Sequence, residues 1–319
     1  MQKLIDQFGR KIDYLRISIT DRCNLRCRYC MPAEGVKNKK HSEILTYEEI
    51  IKIVKTGIKM GIKKVRLTGG EPLVRENVEF LVSKLSSLGL EDLSMTSNAV
   101  LLSSKAESLK KAGLDRINIS LDTLDREKFK KITRRDFLPK VLAGIEAAAA
   151  AELKPVKINM VVMKGINDDE LLDFVDLSIK KELQLRFIEY MPLGGEAEAA
   201  KFISSREIKA LIAEKYKLYP AFTKGNGPAE YFKIKGAAGT IGFISALSEH
   251  FCSSCNRLRL TADAKFKPCL AGEQEIKIKG MSSSKIESAY LKAIELKPAC
   301  HQLDFKKQNY LRNMSQIGG

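Results

Sequence analysis

The chain has 319 residues, 44% of them hydrophobic and 29% charged, with 55 Lys and Arg against 39 Asp and Glu and a net charge of +16. That length supports one large or two ordinary domains with an ample core. No run of eighteen apolar residues offers a membrane span. The opening Met1-Gln2-Lys3-Leu4-Ile5-Asp6 lacks both an apolar signal core and an Arg/Ser-rich transit pattern, so a cytoplasmic location with reduced cysteines is expected. A positive balance suits nucleic acid, a membrane surface or a phosphorylated small molecule. No base-stacking or helix-turn-helix signature accompanies it, and the lysines scatter over several helical faces. An anionic small substrate is the expected partner, without nucleic acid or membrane.

From residue 14 to about 190, short apolar runs alternate with helical patterns. The runs at 14–19, 63–68, 91–96, 116–121, 155–162 and 184–190 read as strands. Leu, Ile and Val at three- and four-residue spacing predict helices over 46–60, 76–88, 103–112, 137–151 and 167–181. Thr46-Tyr47-Glu48-Glu49 is a capping box for the first helix, and Gly61 and Gly113 stand where helices should stop. Repeated strand–helix alternation implies parallel strands joined by right-handed crossovers. Six units fall short of a closed eight-stranded barrel, which leaves a partial barrel or a doubly wound sheet. A helix near 204–216 ends this region. Beyond 220 the sequence turns Gly- and Lys-rich, with strand-like runs at 231–234 and 240–244 and a lysine-bearing tail. The expected division is 1–219 for the α/β part and 220–319 for a second region.

Each strand ends in polar or glycine-rich chemistry: a cysteine loop after the first, Thr68-Gly69-Gly70-Glu71-Pro72 after the second, Thr96-Ser97-Asn98 at the third. Ser120-Leu121-Asp122 ends the fourth, Lys157 and Asn159 mark the fifth, and Arg186 to Pro192 closes the sixth. Parallel α/β folds gather their sites at carboxyl strand ends, so these groups should converge on one mouth. Six of the seven cysteines form two trios: Cys23, Cys27 and Cys30 in that first loop, and Cys252, Cys255 and Cys269. Cys300 stands outside both and reads as a small buried hydrophobe.

Thiolates select zinc or iron–sulfur clusters. A structural zinc site closes with four protein ligands, whereas a four-iron cluster on three cysteines leaves one iron open. The first spacing, three residues and then two within one compact loop, favours the cluster. The second trio leaves both readings open, since His250 could complete a Cys3His zinc site. Arg257 and Arg259 alternate just after Cys255, so on an extended segment they share a face near the metal. Their guanidiniums there could clamp a phosphate or carboxylate.

With Tyr29 before its third cysteine and Gly69-Gly70-Glu71 downstream, the first loop resembles the radical S-adenosylmethionine superfamily. Longer stretches resemble the GTP 3′,8-cyclase family, which begins molybdenum cofactor biosynthesis: Leu15 to Cys27, Arg66 to Arg75, Cys255 to Asp263, and the Gly318-Gly319 tail. The resemblance covers essentially the whole chain. It implies a partial (β/α)6 TIM-like barrel with a C-terminal α+β extension carrying a second iron–sulfur cluster. It also implies S-adenosyl-L-methionine as cofactor and two 4Fe-4S clusters, one on Cys23, Cys27 and Cys30, the other on Cys252, Cys255 and Cys269. By the same resemblance Tyr29, Gly69, Gly70, Glu71, Ser120 and Met191 would line the cofactor. Arg16, Lys64, Arg66, Thr96, Lys157, Arg257, Leu258 and Arg259 would contact GTP, and Arg16, Arg257, Arg259, Gly318 and Gly319 would serve catalysis. The implied reaction takes hydrogen from the ribose C3′ with a 5′-deoxyadenosyl radical and then joins C3′ to C8 of guanine. Implied partners are an electron donor such as flavodoxin or ferredoxin, a downstream pterin synthase and a second copy in a homodimer.

Two positions depart from the family. Ala99 replaces a glycine after the third strand, and is strained there if the turn needs a positive φ. Glu152 replaces the glycine before Leu153-Lys154-Pro155-Val156. The diglycine tail is either disordered, as many chain ends are, or, as the resemblance implies, reaches the active site. Two other functions stay open: a radical maturase that modifies a peptide with an auxiliary cluster, and a non-catalytic zinc-containing nucleic-acid-binding protein. The alternating arginines favour a nucleotide over a peptide. The zinc reading leaves Gly69-Gly70-Glu71 and the strand-end chemistry unexplained.

Overall fold

The computed structural model describes residues 4–193, 198–223, 227–305 and 312–318. The elements run β1 (Tyr14–Ser18), α1 (Tyr47–Met60), β2 (Lys64–Thr68), α2 (Val78–Ser86), β3 (Asp92–Ser97), α3 (Ala106–Lys111), β4 (Arg116–Ser120), α4 (Arg126–Thr133), α5 (Leu138–Ala150), β5 (Lys157–Val162), α6 (Leu171–Lys180), β6 (Gln184–Glu189) and α7 (Ser205–Ala213). There follow β7 (Tyr219–Pro220), β8 (Glu230–Lys233), β9 (Thr240–Ile244), β10 (Arg257–Leu260), β11 (Lys265–Lys267), β12 (Ile276–Lys277), α8 (Ser283–Glu295) and the short α9 (Met314–Ile317). All six strands expected between 14 and 190 form, each within two residues of its expected ends.

The strands make one open sheet in the order β12-β11-β10-β1-β2-β3-β4-β5-β6-β9-β8-β7. Strands β1 to β6 pair in parallel, as strand–helix alternation requires. The surprise lies at the flanks. Strand β10 docks in parallel on β1, and β9 docks in parallel on β6. The parallel run is therefore eight strands, two more than the six units expected, and antiparallel pairs finish both edges. Regions 1–219 and 220–319 share this sheet. The fold is a partial barrel with a C-terminal extension that supplies its outermost parallel strands.

Local sequence explains the helices that position the site. Thr46 and Glu49 form the expected reciprocal cap on α1, and Gly61 ends it at φ +109°. Apolar residues of α1 at three- and four-residue spacing (Ile50, Ile53, Val54, Met60) are buried. Helix α8 was not expected; it lies across α1, with the fully buried Tyr290 hydroxyl donating to the Ile53 carbonyl at 3.1 Å. Helix α4 was also unforeseen. Its eight residues carry only Phe129 and Ile132 as apolar contacts, but Asp125 caps it by accepting from the Lys128 N–H at 2.7 Å.

Both departures from glycine sit in left-handed backbone, Ala99 at φ +61° and Glu152 at φ +55°. Ala99 is fully buried, and its amide donates to Ser97 Oγ at 2.9 Å. Glu152 is exposed and its side chain has no role in the turn. The left-handed conformation costs a side-chain-bearing residue about 1–2 kcal/mol. Replacing Glu152 with Gly recovers this and returns about 0.4–1 kcal/mol of unfolded-chain entropy. The Glu152→Gly variant should accordingly be more stable by roughly 0.5–1 kcal/mol, seen as a higher urea midpoint at unchanged slope.

Candidate active site

At the carboxyl ends of the strands, the cysteine loop lies directly on the loop after β2. Gly70 N–H donates to the Thr20 carbonyl and Glu71 N–H to the Arg22 carbonyl, both at 2.8 Å. A Cβ on Gly70 would stand 2.3 Å from the Arg22 oxygen, and one on Gly69 would stand 2.6 Å from the Thr20 oxygen. Only two glycines permit backbone to stack this closely. Glu71 then staples the next loop: its carboxylate accepts from Asn98 N–H at 2.7 Å, Ser97 Oγ at 2.8 Å and Leu73 N–H at 3.0 Å. Burial lifts its pKa to about 7 against those three donors. Asp122 does the same at the end of β4, accepting from the Tyr29 hydroxyl at 2.8 Å and Val161 N–H at 2.9 Å, with burial raising it to about 6.

All seven cysteines are free. Burial pushes Cys23 up to about 11 and Cys30 to about 12, so as bare thiols they stay protonated. Taking up a cation as thiolates is what would justify three such groups in one desolvated loop. N–H donors already face Cys23 Sγ, from Leu25 at 3.4 Å and Asn98 Nδ2 at 3.8 Å. The second trio divides, for burial likewise pushes Cys252 up to about 11. Burial raises Cys255, but Arg257 and Lys297 outweigh it and bring the thiol down to about 6. His250 does not complete that trio. Among the described residues, the group compact enough for a single ion is His250 with Cys252 and Cys300. Three thiols without a fourth protein donor, the set expected of each trio, would fit a four-iron cluster with one open iron better than a closed zinc site.

Beside the second trio, a cavity of about 440 Å³ reaches the amino-terminal ends of the strands. Tyr14, Lys64, Asp92, Arg116 and Lys157 each begin a strand and line it, and Cys252, Cys255 and Cys269 form one wall. The expectation of a single mouth at the carboxyl ends is corrected here: the cationic groups gather at the opposite end, because the segment before β10 folds beneath it. Strand register builds the lining. Arg259 pairs with Arg16 and Arg16 with Arg66, so three guanidiniums stand side by side across β10, β1 and β2. The next interior row sets Arg257 beside Tyr14 and Lys64.

Nine Lys and Arg line the cavity against two carboxylates. Asp92 is taken by Arg116, through bonds of 2.7 and 2.6 Å. Burial lowers Arg16 and Arg66, and brings Arg186 and Arg259 to about 10, with neighbouring arginines adding to the effect. Lys157 falls to about 6 for the same reasons. Arg186 Nε and Thr96 Oγ1 are buried without a hydrogen-bond partner. Like charges so placed repel unless an anion joins them.

The carboxyl-terminal tail lies inside the barrel. Arg312 forks onto Asp263 at 3.0 and 2.9 Å and also pairs with Glu275. From that anchor α9 leads inward, where buried Ser315 lies against the Cys30 thiol. Arg259 donates to the Gly318 carbonyl. A Cβ on Gly318, at φ +67°, would stand 2.5 Å from Thr68 Cγ2. Of the two tail glycines, Gly318 is placed and Gly319 lies outside the described residues.

Two family models divide the chain: the radical SAM superfamily matches residues 17–178, and the Molybdenum Cofactor Synthesis C family matches 183–303. A curated GTP 3′,8-cyclase from Petrotoga mobilis is 52% identical across 99% of this chain and 100% of its own length. One from Thermodesulfovibrio yellowstonii is 51% identical across 98% and 99%. The chain belongs to the GTP 3′,8-cyclase family. The Streptococcus suis SuiB crystal structure shares the fold alone, with a TM-score of 0.64 at 16% identity over 92% of this chain and 68% of that one.

In this GTP 3′,8-cyclase family member, Arg16, Lys64, Arg66, Lys157, Arg257, Arg259 and Met191 line the cavity. Thr96 stands on β3 and does not line it, and the Leu258 side chain is buried in the core on the opposite face from its arginine neighbours. Tyr29 borders a second cavity of about 320 Å³, beside Arg28, Met163 and Tyr190. Ser120 ends β4 two residues before Asp122. Cys300 corrects its expectation: it is exposed, beside Cys252. Sequence reasoning missed Arg116, gave Arg186 only as polar chemistry closing the sixth strand, and missed Lys297. Alternation on β4 and β6 was the available signal for the first two; Lys297, beyond α8, had none.

Because Lys157 is neutral above about pH 6 in the empty cavity, an anion should recharge it. Polyphosphate binding at pH 8 should take up a proton, visible by calorimetry in buffers of differing ionisation enthalpy, and affinity should weaken as pH rises above about 6. A Lys157→Met variant should lose the uptake. For the tail, Arg312→Ala should remove ~1–3 kcal/mol of local protection. Hydrogen exchange at 312–318 would then accelerate roughly 5- to 150-fold while that of α1 stays fixed.

Proposed function

We propose that this chain cyclises GTP between C3′ and C8, the first step of molybdenum cofactor biosynthesis, with Cys23, Cys27 and Cys30 holding one 4Fe-4S cluster and Cys252, Cys255 and Cys269 the other. The observation that carries the reading is the row Arg259, Arg16, Arg66, set across three strands and facing the wall of the second trio. Such a row suits a polyphosphate, and the cavity lies within the roughly 300–1,000 Å³ typical of small-ligand pockets. S-adenosyl-L-methionine, held beside a cluster on Cys23, Cys27 and Cys30, would supply the radical chemistry that removes the ribose 3′ hydrogen.

The chain's own residues would do the holding. Near an effective dielectric of 20, one guanidinium about 4 Å from a phosphate oxygen contributes on the order of 4 kcal/mol before desolvation. Several in a row would orient the ribose as well as bind it. Tyr29, Gly69, Gly70, Ser120 and Met191 would line the S-adenosyl-L-methionine. Glu71 would act by position, since its carboxylate is already occupied by three donors of the chain. The tail, with Gly318 between Thr68 and Arg259, would complete the interior during turnover. A low-potential donor of flavodoxin or ferredoxin type would supply electrons, the product would pass to a pterin synthase, and the chain would work as a homodimer.

Peptide modification is the weaker reading, since a cavity walled by nine cations matches a polyphosphate better than a peptide backbone. Anaerobic, reconstituted protein given dithionite, S-adenosyl-L-methionine and GTP should form 5′-deoxyadenosine in step with GTP loss. Formation of 5′-deoxyadenosine with no GTP consumed would end this reading. Arg16→Ala and Arg66→Ala should each lower kcat/KM by at least about 10- to 100-fold, in keeping with a charge-assisted contact of roughly 1.5–3 kcal/mol.

A further inference from the structure

We propose that His250, Cys252 and Cys300 form a separate site for a single borderline-soft divalent cation of the zinc class, and that its occupation excludes the auxiliary iron–sulfur cluster. One nitrogen and two sulfur donors lie within 4.8 Å of one another. Small side-chain adjustments bring such a set to the 2.0–2.3 Å bond lengths of tetrahedral zinc, with water as fourth ligand. His250 and Cys300 are exposed, so an ion can enter directly from solvent. Softness of the donors selects zinc, or the cobalt(II) that substitutes for it, over magnesium or calcium.

The juxtaposition is built into the fold. Cys252 and Cys300 are 48 residues apart in sequence, and one buried guanidinium holds their backbones together. Arg10 donates to the carbonyls of Cys252 at 2.8 Å, Ala299 at 3.0 Å and Pro298 at 2.7 Å. Asp6 fixes that guanidinium from behind, accepting from Arg10 Nε at 2.6 Å. On the other side, His301 packs edge-on against His250, with Nδ1 and Nε2 3.1 Å apart. Both partners of Cys252 are therefore held where a single ion needs them.

Cys252 cannot ligate a lone ion and the cluster at once. The competition rests on the assignment of Cys252 to the auxiliary cluster; the ion site does not. Zinc held here would leave a chain with the first cluster intact, the second missing, and one wall of the substrate cavity altered.

Cobalt(II) tests the site without any cluster, nucleotide or turnover. Full-length, reduced, cluster-free protein carrying Cys23→Ser, Cys27→Ser, Cys30→Ser, Cys255→Ser and Cys269→Ser should give a sulfur-to-cobalt charge-transfer band at one equivalent, abolished by zinc. Adding Cys300→Ser or His250→Ala should weaken cobalt binding at least about tenfold, the scale of a lost ligand. A band that survives Cys300→Ser unchanged, or that never forms without Cys255 and Cys269, overturns the proposal. In the wild-type sequence, one equivalent of zinc added before iron–sulfur reconstitution should halve the iron incorporated, and Cys300→Ser should restore it. Equal iron with and without zinc overturns the exclusion, whatever the enzyme does with GTP.

Discussion

Nine cations and two carboxylates around one cavity are the constraint on which this structure turns. Arg259, Arg16 and Arg66 lose water on burial and stand beside one another across adjacent strands. The chain tolerates this because its carboxylates are used elsewhere. Glu71, Asp122, Glu170 and Glu189 are all buried, and each accepts from backbone or hydroxyl groups at the strand ends. Negative charge fixes the loops; positive charge is left unbalanced inside. A ligand carrying several negative charges therefore stabilises the fold as it binds, by the linkage that rewards whatever prefers the native state.

The same division orders the barrel along its axis. The carboxyl ends hold the first cysteine trio in a shell of stapled loops, and the amino ends hold the cationic cavity and the second trio. Joining the two required the C-terminal region to enter the sheet, and the pairing of β10 with β1 accomplishes it. Without that register Arg257 and Arg259 would be two charged residues on a surface strand. With it they extend a row begun by Arg16 and Arg66. The tail, held by Arg312, threads the space between the two ends and sets Gly318 where no larger residue fits.

Much of this was legible in the sequence, and the boundary of legibility is physical. The six strands announced themselves because strands buried on both faces are apolar runs. The cysteine spacing and the Arg257/Arg259 alternation are local, so they could be read directly. Ala99 and Glu152 did take up left-handed backbone, since a turn's φ requirement outlasts loss of the glycine. Periodicity reports burial but not the partner, and so the parallel docking of β9 and β10 was invisible. Helix α4 was too short and too polar to show a stripe. Cys300 looked like core filler because nothing local reveals that Arg10 draws residues 298–299 to Cys252.

The two trios also differ in how they meet solvent and charge, and this sets their relative vulnerability. At the first, desolvation keeps Cys23 and Cys30 protonated and no cationic partner outweighs it. A metal must supply the charge compensation there, so occupancy and ionisation go together. At the second, Arg257 and Lys297 already hold Cys255 near 6, which makes a ready thiolate before any metal arrives. Cys252 is not readied in this way: burial pushes it up to about 11, and it is this thiol that lies beside the exposed His250 and Cys300. The cations that favour an anionic substrate thus activate one sulfur of the neighbouring wall, whereas the sulfur beside His250 and Cys300 is open to the wrong metal through its exposed partners, not through charge.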